Sequence, residues 1–316
     1  ALKIEPFNSD VHSSYGLLLQ KMGRLQEAEE RYKLALKYAP NSADIHSHYG
    51  NLLLEMRLPE GAEKEYKLAL QEDPRHVSTL SNYGFFLSKV GRLAEAEVQY
   101  RLAVEANPSQ ADVRSNYGNL LRQMDRPYDA EKQYKFALEI NPNDADTHYN
   151  YGNLLIELEK PEKAKEQYRL ALEADPKHVA THHSYGFILS EMGLLENAEA
   201  HYKLALAVNP KHLDTLYSYG VLLSKMGRLK EAEEQYRRAL EINPESAVVH
   251  SNYGLLLSRI GGRQAEAEEQ YRKALEANPG DTDVHYNYGL LLSEMGRLEE
   301  AEKQYKLVLS ADPGHV

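Results

Sequence analysis

A Tyr-Gly pair returns at a fixed interval along this 316-residue chain. Successive glycines are 34 residues apart, except for one interval of 35 before the last of them. They are Gly16, Gly50, Gly84, Gly118, Gly152, Gly186, Gly220, Gly254 and Gly289. A period of this length is typical of helical repeat arrays, in which each unit buries its apolar face only against its neighbours. The sequence therefore predicts one elongated array, residues 1–316, that adds its core one layer at a time.

The overall charge restricts the classes of partner. Lys and Arg total 37 against 48 Asp and Glu, which gives a formal net charge of −11. Such a surface disfavours nucleic acid and anionic membranes, so we expect neither as a partner. A neutral or basic protein or extended peptide fits better than an acidic one. The chain has no cysteine, which excludes disulfides, thiolate metal sites and thiol nucleophiles.

The stretch Leu213–Ser246 is one repeat unit, and its residues predict two helices. Its first half has apolar and small residues at the spacing of an amphipathic helix. These residues are Leu213, Leu216, Tyr219, Gly220, Leu222, Leu223 and Met226. We expect this helix to end at Gly227, which can adopt the left-handed conformation that closes a helix, and a second helix to begin near Leu229. The second helix should end before Pro244, because a residue that precedes proline is disfavoured in the α region.

The second helix would carry its own apolar face toward the first. The residues of that face are Ala232, Tyr236, Ala239 and Leu240. Two helices joined by one short turn make an antiparallel hairpin. Gly220 and Ala232 are both small where we expect the helices to face each other, and this would let the helices approach closely.

The recurring positions fit a known family. In the unit that begins at Ser9, a glycine, an alanine, an aromatic residue and a proline stand at Gly16, Ala28, Tyr32 and Pro40. This pattern resembles the tetratricopeptide repeat, and the resemblance covers all nine units. It implies an all-α fold, a right-handed α-solenoid superhelix of stacked antiparallel helix hairpins.

The repeat register sets the boundaries of the units. They span 9–42, 43–76, 77–110, 111–144, 145–178, 179–212, 213–246, 247–281 and 282–315. Residues 1–8 are expected to be the end of a preceding second helix, since Pro6 is in register with Pro40. Gly314–Val316 would begin a further unit. We therefore interpret the chain as a window of a longer protein.

Histidine stands where the family has tryptophan in six units. These residues are His12, His46, His148, His182, His250 and His285. We interpret them as core residues, and we expect their protonation to destabilise the array below about pH 6. His178 and His182 have the i, i+4 spacing of a two-ligand helix face, but a single pair without a third ligand is a weak metal signal. We therefore expect no metal site and no cofactor.

Some turns depart from the pattern. Three units replace the turn glycine by Arg57, Asp125 and Glu159, and each has a proline two residues later, at Pro59, Pro127 and Pro161. Proline is well tolerated in the first turn of a helix, so we expect these turns to be stiffer. The eighth unit has an extra residue in Gly261-Gly262-Arg263. We place it in the turn, because an insertion within a helix would rotate the face that follows.

The resemblance implies that the first helices line a concave wall, with the sixth and ninth positions of each unit facing it. Asparagines stand at the sixth position, at Asn82, Asn116, Asn150, Asn252 and Asn287, and at the ninth, at Asn51, Asn119 and Asn153. The row is similar to the asparagine ladder of the O-linked N-acetylglucosamine transferase superhelix, where side-chain amides bind the backbone of an extended peptide. An amide offers both a donor and an acceptor to any peptide bond. Phe85 and Phe187 at the ninth position and Tyr149 at the fifth would form side-chain pockets.

Structural roles compete with these assignments. For a single asparagine, capping or bridging of neighbouring hairpins explains the residue equally well, whereas the row as a whole favours binding. The carboxylate clamp of chaperone-binding relatives needs lysine at the second position. This chain has aspartate there in six units, at Asp10, Asp44, Asp112, Asp146, Asp214 and Asp283. Capture of an acidic C-terminal tail is therefore not expected.

The sequence favours a non-catalytic scaffold that binds an extended peptide segment in the concave groove. No Ser-His-Asp arrangement, phosphate-binding glycine loop or pair of catalytic carboxylates stands outside the repeat period, so we expect no enzymatic activity. Two alternatives stay open. One is a structural element that self-assembles head to tail through uncapped ends, and the other is the substrate-recognition arm of an enzyme such as a glycosyltransferase.

Overall fold

The computed structural model describes residues 8–311, and these form eighteen α-helices without a strand. The first helices of the hairpins are α1 (Ser9–Lys21), α3 (Ala43–Glu55), α5 (Val77–Lys89), α7 (Ala111–Gln123), α9 (Ala145–Glu157), α11 (Val179–Glu191), α13 (Leu213–Lys225), α15 (Ala247–Ile260) and α17 (Thr282–Glu294). The second helices are α2 (Leu25–Tyr38), α4 (Pro59–Glu72), α6 (Leu93–Ala106), α8 (Pro127–Ile140), α10 (Pro161–Ala174), α12 (Leu195–Val208), α14 (Leu229–Ile242), α16 (Gln264–Ala277) and α18 (Leu298–Ala311). The predicted all-α fold of helix hairpins is confirmed.

The chain divides into two compact units, residues 1–167 and 168–316, with the division inside α10. In the first unit α1 packs on α2, α3 on α4, α5 on α6 and α7 on α8. In the second unit α11 packs on α12, α13 on α14, α15 on α16 and α17 on α18. Within each unit a second helix also packs on the first helix of the next hairpin, as α6 does on α7. The predicted helix end before residue 8 and the predicted start of a further unit at Gly314 lie outside the described residues.

In eight of the hairpins a glycine of the first helix lies against a tyrosine ring of the second. A Cβ atom added to Gly220 would lie 2.6 Å from Cε1 of Tyr236, whose side chain is fully buried. The three atoms nearest to this Cβ all belong to the Tyr236 ring, a contact that the expectation that Gly220 faces Ala232 did not include. At Gly186 the neighbours are the ring of Tyr202 and, at 3.2 Å, the carbonyl oxygen of Ala198. The glycine is needed because the ring occupies the space of a side chain.

The turns between the helices keep one backbone conformation with and without glycine. Gly227 has φ +76°, as expected for a residue that closes α13. Arg57, Asp125 and Glu159 adopt the same left-handed region, with φ of 60°, 55° and 56°. A non-glycine residue pays roughly 1 kcal/mol or more there. The prolines predicted in the first turn do begin α4, α8 and α10.

The extra residue of the eighth unit lengthens its first helix, and the turn that follows keeps three residues, as after α13. The helix α15 has 14 residues where the other first helices have 13, and it ends at Ile260. Gly261 and Gly262 follow with φ of +73° and +71°. The prediction that the residue lies in the turn alone is therefore wrong. The following helix still buries Ala267 and Tyr271, so its inward face is not rotated.

The six histidines at the tryptophan position are core residues, between 3 and 8% exposed. In five of them Nε2 lies 2.8–3.1 Å from a proline carbonyl oxygen. Because a carbonyl only accepts, Nε2 must carry the proton and Nδ1 is left as the second bonding atom. In His46 this atom lies 2.6 Å from Oε2 of Glu65.

Neighbouring hairpins within a unit are joined by a recurring ion-pair network. The Tyr83 hydroxyl donates to Oε1 of Glu63 (3.0 Å), and Arg92 donates to the same oxygen (2.8 Å). The second unit repeats the arrangement with Tyr219 and Arg228 on Glu199, at 2.8 and 2.6 Å. The network fixes the buried tyrosine hydroxyl and the register of the next hairpin together.

Candidate functional site

The first unit contains a cleft of about 630 Å³ between helices α5, α6, α7 and α9. Four of the residues predicted from the sequence line it: Phe85, Asn116, Asn119 and Asn150. Seven further lining residues were not predicted: Ser88, Lys89, Tyr100, Leu120, Arg122, Gln123 and Glu157. Asn82 lies on α5, and Tyr149 and Asn153 lie on α9, but these three do not line the cleft.

The sixth-position amides of the first unit have open hydrogen-bonding capacity. Asn82, Asn116 and Asn150 are each half-buried, and no side-chain hydrogen bond joins them to another part of the chain described here. None of them is a fully buried group without a partner. Their amides therefore reach solvent, where each can offer two N–H donors and one carbonyl acceptor.

The ninth-position amides of the first unit have a structural partner. The Tyr66 hydroxyl donates to Oδ1 of Asn51 (2.7 Å), and the Tyr134 hydroxyl donates to Oδ1 of Asn119 (2.6 Å). Both tyrosines are fully buried, so the asparagine satisfies a hydroxyl group that water cannot reach. The predicted binding role of these two asparagines therefore competes with a local one. Of the two, Asn119 lines the cleft, and its N–H groups stay available there.

The ionic groups of the cleft lie at one end of its helices. Arg122 at the end of α7 pairs with Glu157 at the end of α9, with Nε 2.8 Å from Oε1. Lys89 has no carboxylate partner among the described residues, and its Nζ lies 5.1 Å over the ring of Phe85, which is 45% exposed. Such a cation over an aromatic face is stabilised electrostatically. The sequence signal for these residues was their place three or four residues after the ninth position, which brings them to the same helix face.

The second unit has a smaller pocket of about 90 Å³ between α11, α12 and α13. Phe187, which is 48% exposed, forms one wall, and Tyr202, Tyr217 and Val221 form the rest of its apolar lining. The lining is completed by Ser190, Ser218 and the ion pair of Glu191 with Lys225, at 2.9 Å. The pocket has the character of a site for one apolar side chain.

The two predicted asparagines of the second unit differ in their contacts. Asn252 donates from Nδ2 to the Val248 carbonyl (2.9 Å) and to the Tyr217 hydroxyl (3.3 Å), so it bridges α15 and α13. This is the bridging role considered as the alternative to binding. Asn287 is half-buried and has no side-chain hydrogen bond within the described range.

The histidines between residues 8 and 311 do not form a chelating group. His178 caps α11, and its Nδ1 accepts from the Thr181 backbone N–H at 3.1 Å, whereas His182 turns its Nδ1 to His201. No cluster of three or more His, Cys, Asp or Glu within residues 8–311 could hold a metal ion. Over the same residues no helix combines the length and the apolar character needed to cross a membrane.

Family models and solved structures agree with this geometry. Two models described as tetratricopeptide repeat match the chain, one over residues 109–177 and 178–245 and the other over residues 19–80 and 261–315. PilF of Pseudomonas aeruginosa is 23% identical, with 69% of this chain and 97% of that one covered and a TM-score of 0.59. YrrB, described as a TPR protein with an unusual peptide-binding site, is 26% identical over 58% of this chain and 93% of its own, with a TM-score of 0.48. No curated protein sequence matches the chain.

Proposed function

The chain belongs to the tetratricopeptide-repeat family, and from that premise we propose that it is a non-catalytic scaffold that binds an extended segment of a partner protein. The segment would lie along the cleft of the first unit. Side-chain amides would bind its backbone, and exposed aromatic rings would contact its side chains. This is a protein-interaction function of the kind that the repeat family serves.

The observation that supports backbone binding is the state of three amides. Asn82, Asn116 and Asn150 recur at 34-residue intervals, are half-buried and have no side-chain partner among the described residues. A half-buried amide without an internal partner can pair with a peptide group, whatever side chain that peptide carries. An extended peptide has such groups at regular spacing, so a regular row of amides suits it.

Selectivity would come from the groups beside the amides. In the first unit these are Phe85 in the cleft and Tyr149 on α9, and in the second unit Phe187 beside its small apolar pocket. We propose a neutral or basic partner, because the net charge of −11 repels an acidic chain at long range. Arg122 does not reverse this preference, since Glu157 neutralises it.

The test replaces the three amides together, as Asn82→Ala, Asn116→Ala and Asn150→Ala. Each lost hydrogen bond should cost about 1 kcal/mol, so the triple variant should bind its partner on the order of 100-fold more weakly. Partners would be captured from source-cell lysate with the wild-type chain, identified by mass spectrometry, and then titrated as purified proteins by calorimetry.

A matched control carries three alanines on exposed positions of second helices, at Gln26, Gln71 and Glu139. It should bind as the wild type does. Equal affinity of the amide variant and the wild type, with both folded by circular dichroism, would make the asparagine row structural and contradict the proposal.

A second candidate is self-association between copies of the chain. Leu18 is 52% exposed, whereas Leu52 and Leu222 at the same repeat position are only 0 and 1% exposed. On α18, Leu309 is 55% exposed, whereas Leu206 at its repeat position is 9% exposed. In this candidate, a second copy stacked on these two leucines would bury them.

The self-association candidate is tested by sedimentation velocity over a range of concentrations. Assembly that grows with concentration and is abolished by Leu18→Glu would support it. A chain that stays monomeric at all concentrations and still binds peptide would exclude self-association and support the scaffold proposal.

A further inference from the structure

The hairpin α11–α12 departs from a polar pairing that other hairpins share. In four hairpins Nδ1 of the buried histidine of the first helix meets a side-chain oxygen of the second helix, at 2.6–2.8 Å. The oxygen belongs to Glu65, Gln167, Gln270 or Gln304. In α11–α12 the residue at that place is His201, and Nδ1 of His182 lies 3.0 Å from its Nδ1.

This hydrogen bond between the two rings requires both histidines to be neutral, with one Nδ1 protonated and the other unprotonated. Nε2 of His182 lies 3.1 Å from the Pro176 carbonyl and must carry a proton, so Nδ1 of a neutral His182 is an acceptor. His201 must then donate from its own Nδ1. One added proton leaves an imidazolium without a bonded carboxylate, and a second turns two N–H groups toward each other. A glutamine partner avoids both problems, because its amide can rotate to present the oxygen.

A second group of histidines in the same region also depends on the uncharged form. Nδ1 of His212 accepts from the Thr215 backbone N–H at 3.3 Å, which caps α13. Nδ1 of His183 lies 3.3 Å from Oγ1 of Thr215, a fully buried residue, and its ring centroid is 5.6 Å from that of His212. Protonation of His183 would add a charge beside this cap.

Few charges face these rings to offset a proton. His182 and His201 face one another, and the ring of Tyr185 lies 4.4 Å from that of His201. The other groups that act on His182 are Asp175 and His178, and those that act on His183 are Asp214 and His212. Each acid is thus countered by another histidine.

The pKa values follow from this environment. Burial lowers the pKa of His182 and of His183, and it lowers the pKa of His201 to about 4, with a contribution from His182. A histidine whose pKa is lower in the folded state binds fewer protons there than in the unfolded chain. Its contribution to stability is therefore complete above about pH 6.5 and is lost as the pH falls toward 4.

We propose that the segment α11–α13 is a proton-sensitive element, which loosens in mild acid more than the histidine-free hairpin α7–α8. This loosening opens the pocket at Phe187. The pocket lies on the same three helices: Tyr202 follows His201 directly on α12, and Phe187 stands one turn after His183 on α11. The loosening needs no ligand. Only its effect on binding rests on the proposed function.

The experiment measures amide hydrogen exchange of the whole chain by mass spectrometry at pH 7.5 and 5.0, corrected for the intrinsic pH dependence of exchange. The reference is α7–α8, whose residues 111–140 contain no histidine. Exchange in α11–α13 should accelerate on the order of tenfold more than in the reference. His201→Gln installs the residue that Gln270 and Gln304 supply elsewhere. It should reduce this excess, with the part caused by His183 remaining, and leave exchange at pH 7.5 unchanged.

A reciprocal variant keeps the test decisive if His201→Gln does not fold. Gln270→His places a second imidazole against His250 and should give α15–α16 an acid response of its own. An equal acid response of α11–α13 and α7–α8 in the wild type would overturn the proposal, as would a His201→Gln variant that keeps the full response or a folded Gln270→His variant that acquires none. Exchange that responds as expected in a chain that binds no peptide at either pH would contradict the proposed function alone.

Discussion

At the residue scale, the space for one side chain decides how closely the helices of a hairpin approach. Gly220→Ala should destabilise the second unit by about 1–3 kcal/mol, because the new Cβ would lie 2.6 Å from a buried ring and the hairpin must shift. This loss exceeds the roughly 1 kcal/mol that alanine gains over glycine within a helix. Urea unfolding followed by circular dichroism measures the change.

The matched control for that glycine is Gly280→Ala, since no atom lies within 4 Å of the Cβ added there. It should stay within about 0.5 kcal/mol of the wild type. A Gly220→Ala variant as stable as this control would contradict the role assigned to Tyr236.

A second residue-scale effect comes from the turns. Arg57→Gly should stabilise the chain by about 0.5–1 kcal/mol, because Arg57 holds φ at 60° where glycine is unstrained. The inverse change, Gly23→Arg, should cost about as much, since Gly23 has φ +74° and free space around it. Thermal unfolding measures both. A loss of stability in Arg57→Gly would show that the side chain, rather than the backbone, decides at this turn.

At the element scale, the network between hairpins rests on a carboxylate that must stay ionised. Arg228 above all lowers the pKa of Glu199 to about 2, and Lys203 and Tyr219 contribute. The stability from this group is therefore complete above about pH 4.5 and is lost as the pH falls toward 2. Glu199→Gln should cost about 1–2 kcal/mol at pH 7, and its deficit should shrink in acid.

The control is Glu234→Gln on α14, because Glu234 is exposed and has no ion pair among the described residues. It should change stability by at most about 0.5 kcal/mol. Denaturant titrations at pH 7 and pH 3 separate the two variants. A Glu199→Gln deficit that stays the same at both pH values would exclude the ionised network as its cause.

The elements also show how far the sequence could be interpreted. The bounds of α13 and α14 follow from Gly227 and from Pro244, because local backbone preferences decide helix ends. The partners of the side chains do not follow in this way. Asn116 and Asn119 are both asparagines on one helix, yet only the second is bound by a buried tyrosine hydroxyl. That difference arises from packing between helices, so it cannot be predicted from the repeat position alone.

At the scale of the whole molecule, the response to acid should be divided into two pH windows. The expected acid destabilisation by the core histidines does not extend to His46, because the bond with Glu65 raises the pKa of His46. Its contribution is present below about pH 6.5 and is lost only as the pH rises, which opposes the effect of His182 and His201. Between pH 7 and 5 the loss of stability should be largest in α11–α13, with a smaller contribution from α3, where burial lowers the pKa of His48.

Below about pH 4.5 the second window begins, because carboxylates such as Glu63 and Glu199 are protonated and the networks of both units lose their ion pairs. Calorimetric melting at steps of half a pH unit should show a small, local decline followed by a steep, general one. His201→Gln should reduce the first decline and leave the second in place. A single decline that begins near pH 4.5 in both proteins would mean that the histidines of α11–α13 do not govern the first window. The carboxylate networks would then account for the whole acid response.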